Sequence, residues 1–286
     1  MAKLVVGCGY LGKRVAALWR AHDRDVFVVT RSSERAKEME QSGFQPLIGD
    51  ITDPTSLPRL PDVDAVLFAV GFDRTSNYSI DELYVNGLRN TLAAVGEVGR
   101  WVHISSTGVY SQNTGEWVDE ASEAVPVRPG GRASLEAEQL LAASVVADRA
   151  VILRLAGIYG PDRVPNRQAL LAGEPIKTPA NGYLNLIHVD DAAQIVVAAV
   201  TQIVPPQLLL VSDGSPVLRR TYYETVAAIL EAPAPTFAEP DPDAPATARA
   251  LADKRVCNDR LVASLEYQFC YPSYREGLRS ILTTPP

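Results

Sequence analysis

Lys3-Leu-Val-Val-Gly-Cys-Gly-Tyr-Leu-Gly12 joins a short apolar strand to a glycine-rich turn, and an apolar spacing typical of a helix follows directly. In such a unit Gly7 allows the tight turn, Gly9 lets the backbone approach a pyrophosphate, and Gly12 lets the helix pack on the strand. The helix N-terminus offers N–H groups and a partial positive charge to phosphates. The segment therefore predicts a dinucleotide site. The cofactor contacts expected in this turn are Gly7, Gly9, Tyr10, Leu11 and Gly12.

A second predicted strand, residues 25–30, decides which dinucleotide is expected. In NAD sites a carboxylate at the end of this strand accepts the ribose hydroxyls, but here the strand ends in Thr30 and continues into Arg31-Ser-Ser33. Arg31 and Ser32 suit a 2′-phosphate instead. We therefore expect NADP, with NAD as the alternative. In the other interpretation of this segment, Arg31 is a solvated loop residue.

Two further predicted strands end where the cofactor is expected. Residues 43–50 end in Asp50, whose carboxylate is expected to meet the adenine or to cap the next turn. Residues 64–71 form a continuous apolar run, which is typical of a parallel strand buried on both faces. The cofactor contacts expected from these two strands are Asp50, Ala69, Val70 and Gly71.

Strand and helix patterns alternate along the first half of the chain. Such alternation predicts an α/β fold with a Rossmann-type, doubly wound parallel sheet and right-handed crossovers. The predicted strands are 4–6, 25–30, 43–50, 64–71, 101–105, 150–155 and 208–211, and the predicted helices include 33–41, 79–95 and 132–146.

The regular alternation ends near residue 160, where Pro and Gly become frequent. We expect residues 1–160 to form an NAD(P)-binding domain to which 186–212 return. Residues 161–185 and 213–286 are expected to form a small, discontinuous C-terminal α/β lobe that holds the substrate.

Composition excludes several classes of function. A net charge of −7 argues against nucleic acid or an anionic membrane surface as a partner. The chain enters a strand at once, so no signal peptide is expected, and no apolar run approaches the length of a membrane span. Three dispersed cysteines and three dispersed histidines predict neither a disulfide framework nor a metal site. We expect a cytoplasmic protein with a small-molecule substrate and leave its oligomeric state open.

Four motifs occur in a characteristic order and spacing: Gly7-x-Gly9-x-x-Gly12, His103-Ile-Ser-Ser-Thr-Gly-Val-Tyr110, Arg154-Leu-Ala-Gly-Ile-Tyr-Gly-Pro161 and Asn185-Leu-Ile-His-Val-Asp-Asp191. Together they resemble the extended short-chain dehydrogenase/reductases, the group that contains nucleotide-sugar epimerases and dehydratases. The resemblance covers nearly the whole chain. It implies a Rossmann domain that binds NAD(P), and a small lobe that closes over a small polar or nucleotide-sugar-like substrate.

The resemblance also implies a catalytic set of Tyr, a Lys four residues later, Ser and Asn. Ser106 falls on the family's Ser, but the Tyr position holds Gly130, the Lys position Ser134 and the Asn position Tyr84. None of the eleven tyrosines has a Lys four residues on. The chain is therefore identified as an atypical member that lacks Tyr-x-x-x-Lys.

Four residues remain as candidates for catalysis or substrate binding. Ser106 is expected to contact the substrate, or else to satisfy backbone groups at the strand end. Tyr110 is a candidate substitute acid, or a packing residue. Arg132 is expected to bind an anionic substrate or to be solvated at the helix start, since a guanidinium is no base at neutral pH. Tyr84 is expected near the nicotinamide and substrate, or in the core.

The remaining candidates are expected to be structural. His103 lies in an apolar strand, His188 in a motif that joins lobe to sheet, and Cys8 inside the glycine turn, where a redox-sensitive thiol is the alternative. Two functions stay open. The first is an NADP-dependent oxidoreductase or epimerase/dehydratase, and the second is a catalytically silent NADP(H)-binding regulatory or redox-sensing protein.

Overall fold

Seven parallel strands form the central sheet of the computed structural model, which describes residues 2–22, 25–73, 77–241 and 247–283. They are β1 (Lys3–Val6), β2 (Val26–Thr30), β3 (Gln45–Ile48), β4 (Val63–Phe68), β5 (Val98–Ser106), β6 (Ala150–Leu155) and β7 (Gln207–Val211). Their spatial order is β3-β2-β1-β4-β5-β6-β7. The chain winds outward from β1 to one edge and then outward from β4 to the other, so the predicted doubly wound α/β fold is confirmed.

The sheet is buried on both faces, as its apolar strands predict. Successive residues of β1 point to opposite sides, so Val5 belongs to the apolar cluster on one face and Leu4 to the cluster on the other. Helices α1 (Gly12–His22) and α6 (Val189–Gln202) cover the first face. The second face is covered by α3 (Gly87–Ala94) and α4 (Pro129–Ala142).

The remaining helices lie outside these two layers or at the edges of the sheet. They are α2 (Ser33–Gln41), α5 (Arg167–Leu171), α7 (Arg219–Ile229), α8 (Thr247–Ala250), α9 (Asp259–Ser264) and α10 (Tyr274–Leu282). Within the described ranges, none of the helices has both the length and the apolar character needed to cross a membrane.

Two predicted helices differ from those observed. The helix expected over 79–95 contains a π-helical segment, Glu82–Asn86, directly before α3. The helix expected over 132–146 is α4, which begins earlier because Pro129 occupies its first turn, a position that suits proline. It also ends earlier, and Val145, which lies inside the predicted range, is 90% exposed.

Four two-stranded pairings and a third apolar cluster organise the rest of the chain. The cluster is built around Tyr159, Tyr222 and Leu278. Gly157–Tyr159 pairs with Leu186–His188, Tyr183–Leu184 with Val217–Leu218, Ile176–Lys177 with Phe237–Ala238, and Trp117–Val118 with Arg255–Val256. Strand β7 lies beside β6 in the central sheet. The boundaries that we expected for a separate substrate lobe stay a prediction.

Candidate active site

The glycine turn after β1 contains two glycines that close packing requires and a third that is free of contacts. Gly7 has a φ of +95°, and a Cβ there would lie 2.5 Å from the carbonyl of Ala69. A Cβ on Gly12 would overlap the backbone carbonyl of Gly7. A Cβ on Gly9 meets nothing within 4 Å. Gly7 and Gly12 therefore let the turn, α1 and the end of β4 touch, while Gly9 faces open space.

This turn lies where the strand order reverses, between β1 and β4. In open α/β sheets ligands bind at this point, beyond the carboxyl ends of the strands. Gly71 follows β4 at the same edge, and a Cβ on it also meets nothing within 4 Å. Backbone without side chains at two glycines beyond the carboxyl ends of β1 and β4 lets a pyrophosphate group approach, so the residues present suit a dinucleotide.

Tyr10 and Arg14 bind the glycine turn to the chain that follows β6 and to the start of α6. The Tyr10 hydroxyl donates to the Pro161 carbonyl at 2.8 Å, and Arg14 donates to Asp190 at 2.9 Å. The Arg14 guanidinium lies 4.4 Å from the centre of the Tyr10 ring. Leu11 is 7% exposed and packs in the core, so only its backbone is available to a cofactor.

A cluster after β2 and β3 forms the expected adenosine end of the site. The exposed Arg31 guanidinium lies over the Tyr78 ring, 4.9 Å from its centre, and the Tyr78 hydroxyl donates to Asp50 at 2.7 Å. Burial alone would raise the pKa of Asp50, but hydrogen bonds from Tyr78 and Thr52 lower it below its usual value. Ser32 accepts a hydrogen bond from the Arg35 N–H and caps α2.

Asp50 has the capping role that was one of its two expectations, and its contact with the adenine stays a prediction. One carboxylate oxygen caps the following turn by accepting the Thr52 N–H and hydroxyl, and the other holds Tyr78. Sequence reasoning missed Tyr78, because it lies 28 residues from Asp50 and belongs to none of the motifs.

At the end of β5, Ser106 accepts a hydrogen bond from the Gly108 N–H at 3.0 Å. This is the strand-end role that was the alternative for Ser106, and it leaves the hydroxyl proton free to donate. The Arg128 side chain lies beside it: a Cβ built on Gly108 would lie 2.7 Å from Arg128 Nη2 and 3.1 Å from Ser106 Oγ. Gly108 therefore makes room for a guanidinium next to Ser106.

Helix α4 has no proton-transfer group at the two positions where the resemblance implies one. Gly130 faces Ile80, whose Cδ1 would lie 3.1 Å from a Cβ at that position. Ser134 is buried and donates to the Gly130 carbonyl at 2.8 Å. Tyr84 is half-buried on the π-helical segment, where burial raises the pKa of its hydroxyl and a hydrogen bond from the Phe72 backbone partly offsets that rise.

Residues 3–211 match the sequence profile of the NAD dependent epimerase/dehydratase family, which is most of the chain. The chain belongs to this family. Its membership makes a nicotinamide dinucleotide the cofactor class of this protein.

Individual proteins resemble this family member over nearly its whole length. Protein YeeZ of Escherichia coli K12 is 25% identical over 279 residues, which are 94% of this chain and 96% of YeeZ. A solved structure from Methylobacillus flagellatus, provisionally described as an NAD-dependent epimerase/dehydratase, is 30% identical. It covers 99% of this chain and 97% of its own, with a TM-score of 0.77.

A third relative is a named enzyme. The 4-hydroxy-2-methyl-3-oxo-4-farnesyl-3,4-dihydroquinoline-1-oxide ketoreductase of Stigmatella aurantiaca is 25% identical over 232 residues. The match covers 76% of this chain and 69% of the ketoreductase.

Tyr110 does not have the position of a substitute acid in this epimerase/dehydratase family member. It is 2% exposed, its hydroxyl donates to the Asp119 carbonyl at 2.8 Å, and it accepts from Arg154 at 2.6 Å. Burial raises the pKa of the hydroxyl. Both hydrogen-bonding directions of this hydroxyl are used inside the protein, so Tyr110 packs, as its alternative interpretation held.

Arg154 connects Tyr110 to a buried network that sequence reasoning missed. Glu138 accepts two hydrogen bonds from Arg154, and one oxygen of the same carboxylate accepts from Ser105 at 2.5 Å. A signal for this network was available, because Arg154 lies inside an apolar strand. A buried guanidinium there requires a carboxylate from the element packed on the sheet.

Arg132 is a solvated residue at the start of the helix, which was the alternative interpretation of this residue. It is exposed and donates to the Val127 carbonyl at 2.8 Å, at the start of α4. Arg128, which begins the same turn, is the guanidinium that lies beside Ser106. Sequence reasoning did not single out Arg128, and the binding of an anionic substrate by Arg132 stays a prediction.

The three candidates that were expected to be structural, His103, His188 and Cys8, are all buried. His103 is 3% exposed and stacks on Phe68, and burial lowers its pKa to about 4. His188 is 1% exposed and packs against Tyr271. Burial raises the pKa of the Cys8 thiol to about 11, which leaves it unreactive at neutral pH. Across the described ranges, no group of three or more His, Cys, Asp or Glu side chains could hold a metal ion.

Proposed function

We propose that this protein is an NADP(H)-dependent oxidoreductase of the epimerase/dehydratase kind, acting on a small polar or nucleotide-sugar-like substrate beside Ser106. The observation that carries the proposal is the glycine turn, where Gly7 and Gly12 are tightly packed and Gly9 is bare. Such a turn fits a bound pyrophosphate. Close packing requires glycine at positions 7 and 12 but does not require it at position 9. The ketoreductase among the relatives supports a reductase.

Each part of the proposed site has a defined task. The backbone around Gly9 and Gly71 holds the pyrophosphate, and Arg31, placed by Tyr78, binds the 2′-phosphate. The bound nicotinamide supplies or accepts a hydride. Ser106 donates a hydrogen bond to a substrate oxygen, and Tyr84 lies beside the reacting end. In this proposal residues 1–160 with 186–212 hold the cofactor, and residues 161–185 with 213–286 cover the substrate.

Calorimetric titration with NADP⁺ and, separately, with NAD⁺ tests the cofactor. We expect a preference for NADP⁺ of about tenfold or more, which Arg31→Ala removes without changing NAD⁺ affinity. Arg89→Ala is the control, because Arg89 is exposed and, within the part of the chain that the structure describes, its side chain bonds only its helix neighbour Asn86. Absence of binding of either dinucleotide contradicts the proposal.

A regulatory or sensing role is the second candidate, and the residues at Gly130 and Ser134 favour it. Because the Tyr and Lys that would hold the nicotinamide ribose are absent, we expect adenosine 2′,5′-bisphosphate to bind nearly as well as NADP⁺. If full NADP⁺ binds more than about a hundredfold tighter, other residues hold the nicotinamide end and catalysis is favoured. Change of cofactor absorbance with any member of a broad carbonyl-substrate panel decides for the enzyme.

A further inference from the structure

Two cationic side chains, Arg128 and Lys254, lie against the turn that follows Ser106. Lys254 is 6% exposed, and its ammonium donates to the Tyr110 carbonyl at 3.1 Å. Arg128 is half-buried over Gly108, two residues before Tyr110. Arg219 is 4% exposed, donates to the Asn181 carbonyl, and its positive charge acts on Lys254. Lys254 therefore lies within electrostatic reach of two other cations, and one of them, Arg128, lies beside Ser106.

The nearby carboxylates leave Arg128 and Lys254 without an ion-pair partner among the described residues. The carboxylate that faces Lys254, Glu116, is exposed and accepts hydrogen bonds from the Thr114 N–H and hydroxyl. Asp253 faces Arg219 instead. Positive charge thus exceeds negative charge at this point of an otherwise acidic protein.

Cations that are removed from water without an ion-pair partner are unfavourable, and the pKa values of Lys254 and Arg128 are lowered accordingly. Burial lowers the pKa of Lys254 to about 8, and repulsion from Arg128 and Arg219 adds to that effect. Burial also lowers the pKa of Arg128, with a contribution from Arg249. A negative ligand between the two groups would remove this penalty, because a charge taken out of water requires an opposite charge close by.

We propose that Arg128 and Lys254 bind an oxyanion of the substrate, a carboxylate or a phosphate, and so place the adjacent reacting group against Ser106. The identity of the substrate rests on the proposed function, but the anion site is measurable without turnover. It differs from the cofactor's phosphate sites, which lie around Gly9 and Arg31.

Titration with sulfate in a chloride buffer of constant ionic strength tests this site, with the protein saturated by NADP⁺ so that the cofactor's phosphate sites are filled. Sulfate is chosen because it does not titrate near neutral pH. We expect saturable binding that Arg128→Gln and Lys254→Met each weaken by about tenfold or more, with NADP⁺ affinity within about twofold of wild type. Arg89→Gln is the matched control and leaves sulfate affinity unchanged. Acetate in a parallel titration shows whether a carboxylate or a doubly charged phosphate mimic is preferred.

Two readouts distinguish this site from a structural effect. Sulfate affinity should fall as pH rises through about 8 and Lys254 loses its proton, since Arg128, Arg219 and Glu116, the charged groups that face it, keep their charges there. Lys254→Met should abolish that pH dependence. The anion-free melting temperature of Arg128→Gln should equal or exceed that of wild type, because the substitution relieves repulsion and breaks no ion pair.

Three outcomes overturn the anion site. The first is that neither sulfate nor acetate binds saturably, and the second is that Arg128→Gln and Lys254→Met both bind sulfate as tightly as wild type. The third is that Arg132→Gln, and not Arg128→Gln, loses sulfate affinity. If NADP⁺ itself fails to bind, the proposed function fails, and the same titrations without cofactor still decide the anion site. In that case the anion site is overturned if Arg31→Ala loses sulfate binding while Arg128→Gln keeps it.

Discussion

Glu138 binds Arg154 through both of its carboxylate oxygens, at 2.9 and 2.6 Å, in a place where each side chain is about 5% exposed. The pair joins α4 to β6, and Ser105 and Tyr110 attach β5 and its following turn to the same two side chains. Helix α4 is the element on which the resemblance places proton transfer. In this protein its buried face instead carries the carboxylate that holds the helix on the sheet.

We expect Arg154→Gln to lower the free energy of unfolding by about 3–5 kcal/mol, because it leaves the Glu138 carboxylate buried without its partner. Urea denaturation measures the change, with the exposed Arg89→Gln as control. The double variant Arg154→Met with Glu138→Leu should recover part of the loss, since it removes both charges. A loss below about 1 kcal/mol for the single variant contradicts the role given to the pair.

The glycine turn predicts different outcomes for the same substitution at two positions. Gly12→Ala places a methyl group against the Gly7 carbonyl, so we expect a loss of stability of about 1–3 kcal/mol. Gly9→Ala places its methyl in open space, so the melting temperature should stay unchanged while NADP⁺ affinity falls about tenfold or more. Thermal denaturation and calorimetry separate the two. Unchanged cofactor affinity in Gly9→Ala would show that the pyrophosphate lies elsewhere.

Tyr78 is expected to act on cofactor binding through Arg31, so its ring and its hydroxyl should differ in effect. Tyr78→Phe keeps the ring beneath the guanidinium and should change NADP⁺ affinity by less than about twofold. Tyr78→Ala removes the cation–π contact, worth about 0.5–1 kcal/mol at an exposed site, and should weaken NADP⁺ by about two- to fivefold. NAD⁺ affinity is the internal control. Equal losses for both dinucleotides would assign Tyr78 to the adenine instead.

His103 makes the fold sensitive to acid. It stays neutral in the folded protein down to a pKa of about 4, whereas the unfolded chain takes up the proton near pH 6.5. The unfolded state therefore binds more protons, and stability should fall by about 3 kcal/mol as pH drops from 6.5 to about 4. His103→Phe, which can stack on Phe68, should remove this dependence, and the exposed His22→Gln should keep it. Denaturant midpoints across this pH range give the comparison.

Asp213, in the turn after β7, should act in the opposite direction. Burial raises its pKa to about 7, with Asp191 and Glu276 adding repulsion, and its Oδ2 has no hydrogen-bond partner among the described residues. The folded state keeps the proton that the unfolded chain loses above pH 3.8, so stability should fall by about 4 kcal/mol between pH 3.8 and about 7.

Asp213→Asn should remove that penalty and raise stability at pH 7, because the amide oxygen still accepts the Ser215 N–H. The exposed Asp148→Asn is the control. If Asp213→Asn destabilises the protein at pH 7, the carboxylate is ionised in the folded state and the assigned direction is wrong. The two single variants, Asp213→Asn and His103→Phe, should therefore show opposite slopes of stability against pH. Asp213→Asn keeps the loss of stability toward acid, and His103→Phe keeps the loss of stability as pH rises.

Local chemistry determined what could be predicted from the sequence alone. The glycine turn, the apolar strands and their alternation with helices depend on neighbouring residues, because backbone conformation and burial on a strand or helix face repeat over a few positions. For the same reason the sequence shows the absence of Tyr and Lys at Gly130 and Ser134. Ser106 was placed at its strand end, and Arg31 after β2, by the same local reasoning.

Tertiary structure alone decided which side chains meet. Tyr78 reaches Asp50 across 28 residues, and Lys254 reaches Tyr110 across 144. Such pairs depend on how the parallel strands bring their carboxyl ends to one edge, and on how α4 packs on the sheet, with Arg128 beside Ser106 just before the helix and Arg132 exposed in its first turn. No local pattern encodes that placement, because it depends on contacts between distant parts of the chain, such as the pairing of Glu138 with Arg154.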